Sequence, residues 1–287
     1  MAAILKKELR TYFVTMTAYV YLGITVLIMG IFFILTNIDG GNPHFISSLS
    51  YIQFIFLILV PMLTMRLFSE ETRQRTDQLL FTSPLKVSDV VLGKYFAATA
   101  IYALSLLLIM AFPYILSFHT TVYVRPLFSI MLGTLLLGAS FIAVGIFLSS
   151  LTDNQIISAV LTSMAILAFI LMTVLSQSMP VGRMFSGVFV GVIILAIGFY
   201  IWNSSKNLLA GVVFCGIAGA VAVAMRFINP NLYDGLIYRV LTWINLLDRF
   251  NAFAGSAVRL ADVVYYVTFI GVFIFLTVHV IERRRWK

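Results

Sequence analysis

The sequence predicts an all-α polytopic membrane protein of about eight transmembrane helices, with an N-terminal amphipathic helix and a cytoplasmic coupling helix. Composition, the length of the apolar runs and the placement of the basic residues predict it. Of 287 residues, 61% are hydrophobic and only 10% charged. A globular domain of this size keeps a large polar skin, so lipid has to serve as solvent for the excess. Long apolar runs fall at 13–36, 49–68, 95–118, 126–150, 156–177, 185–202, 207–227 and 262–281. A helix needs ~20 such residues to cross a bilayer.

The elements follow in order along a single domain, 1–287. In segment 1–12 and just beyond it, Leu5, Leu9, Tyr12 and Phe13 share one helical face, while Lys6, Lys7 and Arg10 fall largely on the other. That pattern suits a helix lying along the inner leaflet. The apolar run after it exceeds the ~7–15 residues of a secretory signal, so it reads as a retained span. Pro61 and Pro113 should kink the second and third spans. Between those spans, 69–94 is polar: Pro84 should end a short charged helix over 69–83. Ser88 should cap the next helix, with Asp89 at its favourable end. Gly138, Gly145 and Ser149 share one face of the fourth span and permit close packing. Segment 185–227 forms a hairpin of two spans turned by Asn203, Ser204, Ser205 and Lys206. External segment 228–261 carries Tyr233, Tyr238, Trp243 and Phe250, a spacing that suits interfacial helices.

Orientation follows from charge. With the N-terminus inside, the inner loops and tails hold Lys6, Lys7, Arg10, Arg66, Arg73, Arg75, Lys86, Lys94, Lys206, Arg283, Arg284, Arg285 and Lys287. The outer side holds Arg125, Arg183, Arg226, Arg239, Arg249 and Arg259. The inner excess places both termini in the cytoplasm. The net charge of +8 is thinly spread between apolar runs, so it reads as membrane topology and not as nucleic-acid binding. Cys215 stands alone, so there is no internal disulfide.

Several chemistries are disfavoured. Gly93-Lys94 lacks the upstream glycine of a phosphate loop and is followed by Tyr95. His44, His119 and His279 lie far apart, so no metal set is proposed. No nucleophile–base spacing supports an intramembrane enzyme. Ion-driven carriers keep carboxylates or histidines within their spans, whereas these span interiors are almost free of ionisable groups. Thr25, Gln53, Thr64, Ser105, Ser140, Ser158, Thr162 and Ser163 are among the neutral polar residues inside spans; such groups can line a path or hold helices together, and helix glue is the commoner role. The pattern fits a permease energised by a separate partner. The alternative is a membrane scaffold or assembly factor without a transport path.

Residues 61–98 contain Pro61, Thr64, Met65, Arg66, Glu70, Glu71, Thr76, Leu79, Leu80, Thr82, Pro84, Gly93 and Lys94 in a distinctive order. Further on come Ser150-Leu151-Thr152 with Asn154-Gln155, then Asp262, Tyr265, Tyr266 and the Arg284-Arg285-Trp286 tail. This order resembles the permease subunits of type-2 ABC transporters, and within them the gliding-motility and nitrous-oxide-reductase-maturation branch. Arg75 and Gln78 depart from that branch's usual Gly and Glu, and 185–227 looks like an insertion into its six-span unit.

The resemblance implies a bacterial inner-membrane permease subunit, an exporter, with no catalysis or cofactor of its own. ATP and Mg would bind a separate ATP-binding subunit. A second permease subunit would complete the complex, with room for an auxiliary membrane protein. It also implies the coupling residues: Glu70, Glu71, Arg73, Arg75, Thr76, Asp77, Gln78, Leu79 and Leu80 in a cytoplasmic helix, and Thr152, Asp153, Asn154 and Gln155 in a second loop. Charge together with exposed leucines in 70–80 suits docking on a protein groove.

Overall fold

The computed structural model describes residues 1–75, 86–118, 120, 123–178, 191, 194, 202, 214–220, 236–255 and 258–285. The described residues are helical throughout their regular structure, with no strand among them. The protein is an all-α polytopic membrane protein. Among the described residues, six stretches are long and apolar enough to cross a membrane: Thr17–Ile38, Ile52–Arg73, Val87–Leu116, Val124–Leu151, Gln155–Ser176 and Leu260–Arg284. Most of the two spans expected at 185–202 and 207–227 lies outside the described residues.

The chain divides into two compact units. The first comprises Met1–Ile170 and Leu246–Lys287, the second Leu171–Asn245. In the second, α10 (Leu236–Ile244) ends at the buried Asn245, whose amide donates to Thr173 Oγ1 at 2.8 Å. Tyr238 and Trp243 on α10 are exposed, as interfacial aromatics would be.

In the first unit, α1 (Ala2–Val14) leads into α2 (Thr17–Phe33). Between them Met16 adopts a left-handed φ of 59°, which turns the chain sharply at a cost of about 1 kcal/mol. A π-helical turn, Ile34–Ile38, prolongs α2. Next come α3 (Ile46–Leu49), α4 (Ile52–Thr64) and α5 (Ser69–Arg73). Helix α6 (Val87–Ile109) breaks at Met110 before α7 (Ala111–Leu116). The break falls where the ring of Pro113 would collide with the Ile109 carbonyl, so the helix is interrupted where the kink is expected. Long helices α8 (Val124–Leu151) and α9 (Gln155–Ser178) follow, then α11 (Leu246–Ala254) and α12 (Leu260–Arg285).

Helix α8 is the central post. Of its most apolar window 72% is buried inside the protein, against 17% for α12 and 28% for the first span. Its small residues explain why neighbours approach so closely. A Cβ on Gly138 would lie 2.6 Å from Tyr102 Cε1, and one on Gly145 would lie 2.9 Å from Thr64 Cβ. The exposed leucines, isoleucines and phenylalanines of α2, α9 and α12 suit a lipid-facing surface.

Helix α11 corrects one sequence expectation. Phe250 is expected on an interfacial face, but Leu246, Leu247, Phe250 and Phe253 are all buried, packed against α8. Ser129 Oγ donates to the Phe253 carbonyl at 2.8 Å, and a Cβ on Gly133 would lie 2.6 Å from that of Phe253. Protein takes the apolar face that lipid was expected to take. Arg249 donates to Asp262 Oδ1 at 2.8 Å and stacks over Tyr265, while Tyr266 donates to the Leu246 carbonyl at 2.7 Å. The Asp262, Tyr265 and Tyr266 motif therefore ties α11 to α12. Asp262→Asn should cost about 1–3 kcal/mol, since it weakens a charged hydrogen bond in a largely buried site. Thermal denaturation in detergent measures it, and an unchanged midpoint would remove the pair from the fold's support.

Candidate functional site

The end of the first unit that carries α1 gathers residues from four distant parts of the chain. Lys94 organises it. The residue is 1% exposed; its ammonium has three donors, and three acceptors meet them: Glu8 Oε1 at 3.0 Å, Glu71 Oε1 at 2.8 Å and the Leu67 carbonyl at 2.8 Å. The Phe68 ring covers the ammonium, its centroid 5.1 Å away. The acceptors come from α1, from α5 and from the turn between α4 and α5. A polar cleft of about 490 Å³ opens beside them, lined by Lys7, Thr11, Arg66 and Gln74 among others.

Local sequence explains the assembly. Gly93 has no side chain, so α1 can lie directly on α6; a Cβ there would sit 2.9 Å from Ile4 Cγ2. Ile4, Glu8 and Tyr12 recur every four residues and form the buried stripe of α1. Tyr12 donates to the Leu63 carbonyl of α4 at 2.6 Å. Burial, and after it the Glu8 carboxylate, push the Tyr12 hydroxyl above its ordinary range, so it stays a donor. The expected apolar face of α1 is therefore displaced: Leu5, Leu9 and Phe13 are only half-buried, and an acid sits in the centre.

The predicted coupling residues fall into three groups. Glu70 and Glu71 are expected on an outward docking face, yet both face the protein's own cations. Glu70 accepts from Arg66 Nε at 2.9 Å and from Gln74 at 3.2 Å, and Glu71 accepts from Lys94. Arg73 and Arg75 are exposed, and Arg75 has a left-handed φ of 56°. Helix α5 covers only Ser69–Arg73, followed by a turn, so the expected helix over 69–83 is interrupted at 74–75. Thr76, Asp77, Gln78, Leu79 and Leu80 lie outside the described residues. Ser88, expected as a cap, is inside α6, whose cap position is Lys86; Asp89 lies in the first turn as expected.

The second predicted loop lies close to α5. Ser149 Oγ receives the Phe68 and Ser69 amides at 3.2 and 3.3 Å, fixing the start of α5 on α8. Arg284 of α12 reaches Thr72 Oγ1 at 3.4 Å and Asp153 Oδ1 at 3.7 Å. The Asn154 side chain accepts the Ile156 amide at 2.9 Å and caps α9, which fixes the shape of this turn. A cleft of about 680 Å³ is lined by Arg73, Thr152, Asp153, Gln155, Ile156 and Ile157, with Asn154 at its turn. Ile156 and Ile157 are exposed in this otherwise polar surface.

Sequence reading missed Glu8 altogether and counted Lys94 as a loop charge. The signal for Lys94 was its place after Gly93, eight residues inside an α-helix that becomes apolar at once. Among the described residues no group of histidine, cysteine or acid side chains could hold a metal ion.

No curated protein matches the chain. The family model described as ABC-2 family transporter protein matches residues 4–186 of the 287. That span includes all but the first two residues of α1, the Lys94 cluster and both predicted coupling segments. The chain belongs to the ABC-2 transporter family, as a membrane permease component of an ABC transporter.

Proposed function

We propose that this chain is the permease subunit of an exporter driven by a separate ATP-binding subunit, which docks on Arg73, Arg75 and the Thr152–Gln155 turn. The observation that carries the reading is the convergence of three distant segments at one end of the unit. Arg284 spans Thr72 and Asp153, and exposed Ile156 and Ile157 flank the cleft beside them. Apolar side chains among charges suit a protein partner better than water. ATP and Mg would bind the partner, and ATP-driven closure of that partner would displace α5, a rigid-body type of switch. The N-terminal helix and Arg284 lie at the same end of the unit, which fits two termini on one side of the membrane; the basic excess there favours the cytoplasm of a bacterial cell. A second permease subunit and the gliding-motility or nitrous-oxide-maturation branch belong to this reading on the strength of the motifs at Pro61–Lys94.

The test is co-purification with the ATP-binding subunit from membranes. Arg73→Glu combined with Asp153→Arg should reduce the bound ATPase about tenfold, a typical loss for charges at an interface. Membrane insertion should be unchanged. Full retention of the partner by the double variant would refute docking at this surface.

A further inference from the structure

The Lys94 cluster joins elements that the docking reading leaves separate. Glu71 belongs to α5, next to the exposed Arg73, whereas Glu8 belongs to α1; besides the cluster, the exposed Lys7 of α1 also comes within 3.9 Å of Glu71. One buried ammonium holds both, and no donor is left over. Gly93 and Tyr12 add two further contacts, between α1 and α6 and between α1 and α4. A displacement of α5 that left α1 in place would strand a buried carboxylate or the ammonium itself.

We propose that Lys94 fastens α5, α1 and the start of α6 into one moving body, so that the N-terminal helix is a transmission element and not only an anchor. The inference rests on the permease reading. Lys94 acts as a positioning residue: it touches neither nucleotide nor substrate. Glu8 is its connection to α1, and Glu71 its connection to α5.

The experiment uses the permease purified with its ATP-binding subunit, in a Cys215→Ser background. Glu8→Gln keeps the shape of the side chain and leaves the Lys94–Glu71 pair intact. It should lower ATP turnover about tenfold, within the usual range of coupling between sites, with the KM for ATP unchanged. Ile4→Cys with Gly93→Cys then supplies a covalent substitute. The Gly93 Cβ position lies 3.0 Å from Ile4 Cβ, about half an ångström short of disulfide range. Oxidising that pair in the Glu8→Gln protein should restore turnover, and reduction should abolish the gain. Thermal midpoints are recorded for each form. Unchanged turnover in Glu8→Gln overturns the inference. So does a crosslink that restores the midpoint without restoring turnover, because Glu8 would then be structural only. A parent chain that carries no ATP-binding subunit overturns the proposed docking of that subunit and this inference with it.

Discussion

Lys94→Ala is expected to leave little folded protein in the membrane. The substitution removes the buried ammonium that Glu8 and Glu71 share at a residue 1% exposed, and it also strands the Leu67 carbonyl. Truncating one partner of a buried ionic group costs about 3–5 kcal/mol, comparable to the whole stability of a modest domain. Replacing the entire group is a different matter. Lys94→Met with Glu8→Leu and Glu71→Leu removes every desolvated charge in the cluster, and such swaps are often neutral for stability. Fluorescence-detected size-exclusion chromatography of the two proteins separates the cases. The single variant should aggregate or be lost, and the triple variant should recover a monodisperse peak. Equal loss in both would mean that packing, not charge, dominates the site.

Gly138→Leu should be nearly as severe. The first atom of any side chain there would lie 2.6 Å from Tyr102 Cε1 and closer still to Cζ and the hydroxyl. Tyr102 cannot retreat easily, because its hydroxyl donates to the Thr134 carbonyl at 2.5 Å and its ring packs edge-on against Phe56. Overpacking typically costs about 1–3 kcal/mol, and here a core hydrogen bond goes with it. Gly23→Leu is the matched control, since nothing lies within 4 Å of a Cβ at that position. Thermal midpoints should fall for the first variant and stay for the second.

The membrane-spanning helices were legible because lipid imposes a length and a composition on each of them. The Gly138, Gly145 and Ser149 stripe was legible for a similar reason, since small residues at helical spacing mark close packing. Helix α11 was not. Its Phe250 has the amphipathic setting of an interfacial residue, and only tertiary structure decides whether lipid or α8 covers it. Glu8 and Lys94 stayed hidden for another reason. They are 86 residues apart, and each sits in a basic, topology-setting neighbourhood that masks a buried partner. Glu71 is legible as a site residue but not in its orientation, because an acid in a charged segment looks solvated until its partner is known. Asn154 reads as a coupling residue in the sequence, and its capping of α9 becomes visible only in the structure.

The proposed docking of an ATP-binding subunit where α5, the Thr152–Gln155 turn and Arg284 meet predicts a contact at a single exposed side chain. Site-specific photocrosslinking tests it most directly. A photoreactive amino acid at Asp153, whose side chain is 68% exposed, should give an adduct with an ATP-binding polypeptide in native membranes. The same group at Asp39, at the far end of the first span, should give none. No adduct from position 153, or equal adducts from both positions, would contradict the account.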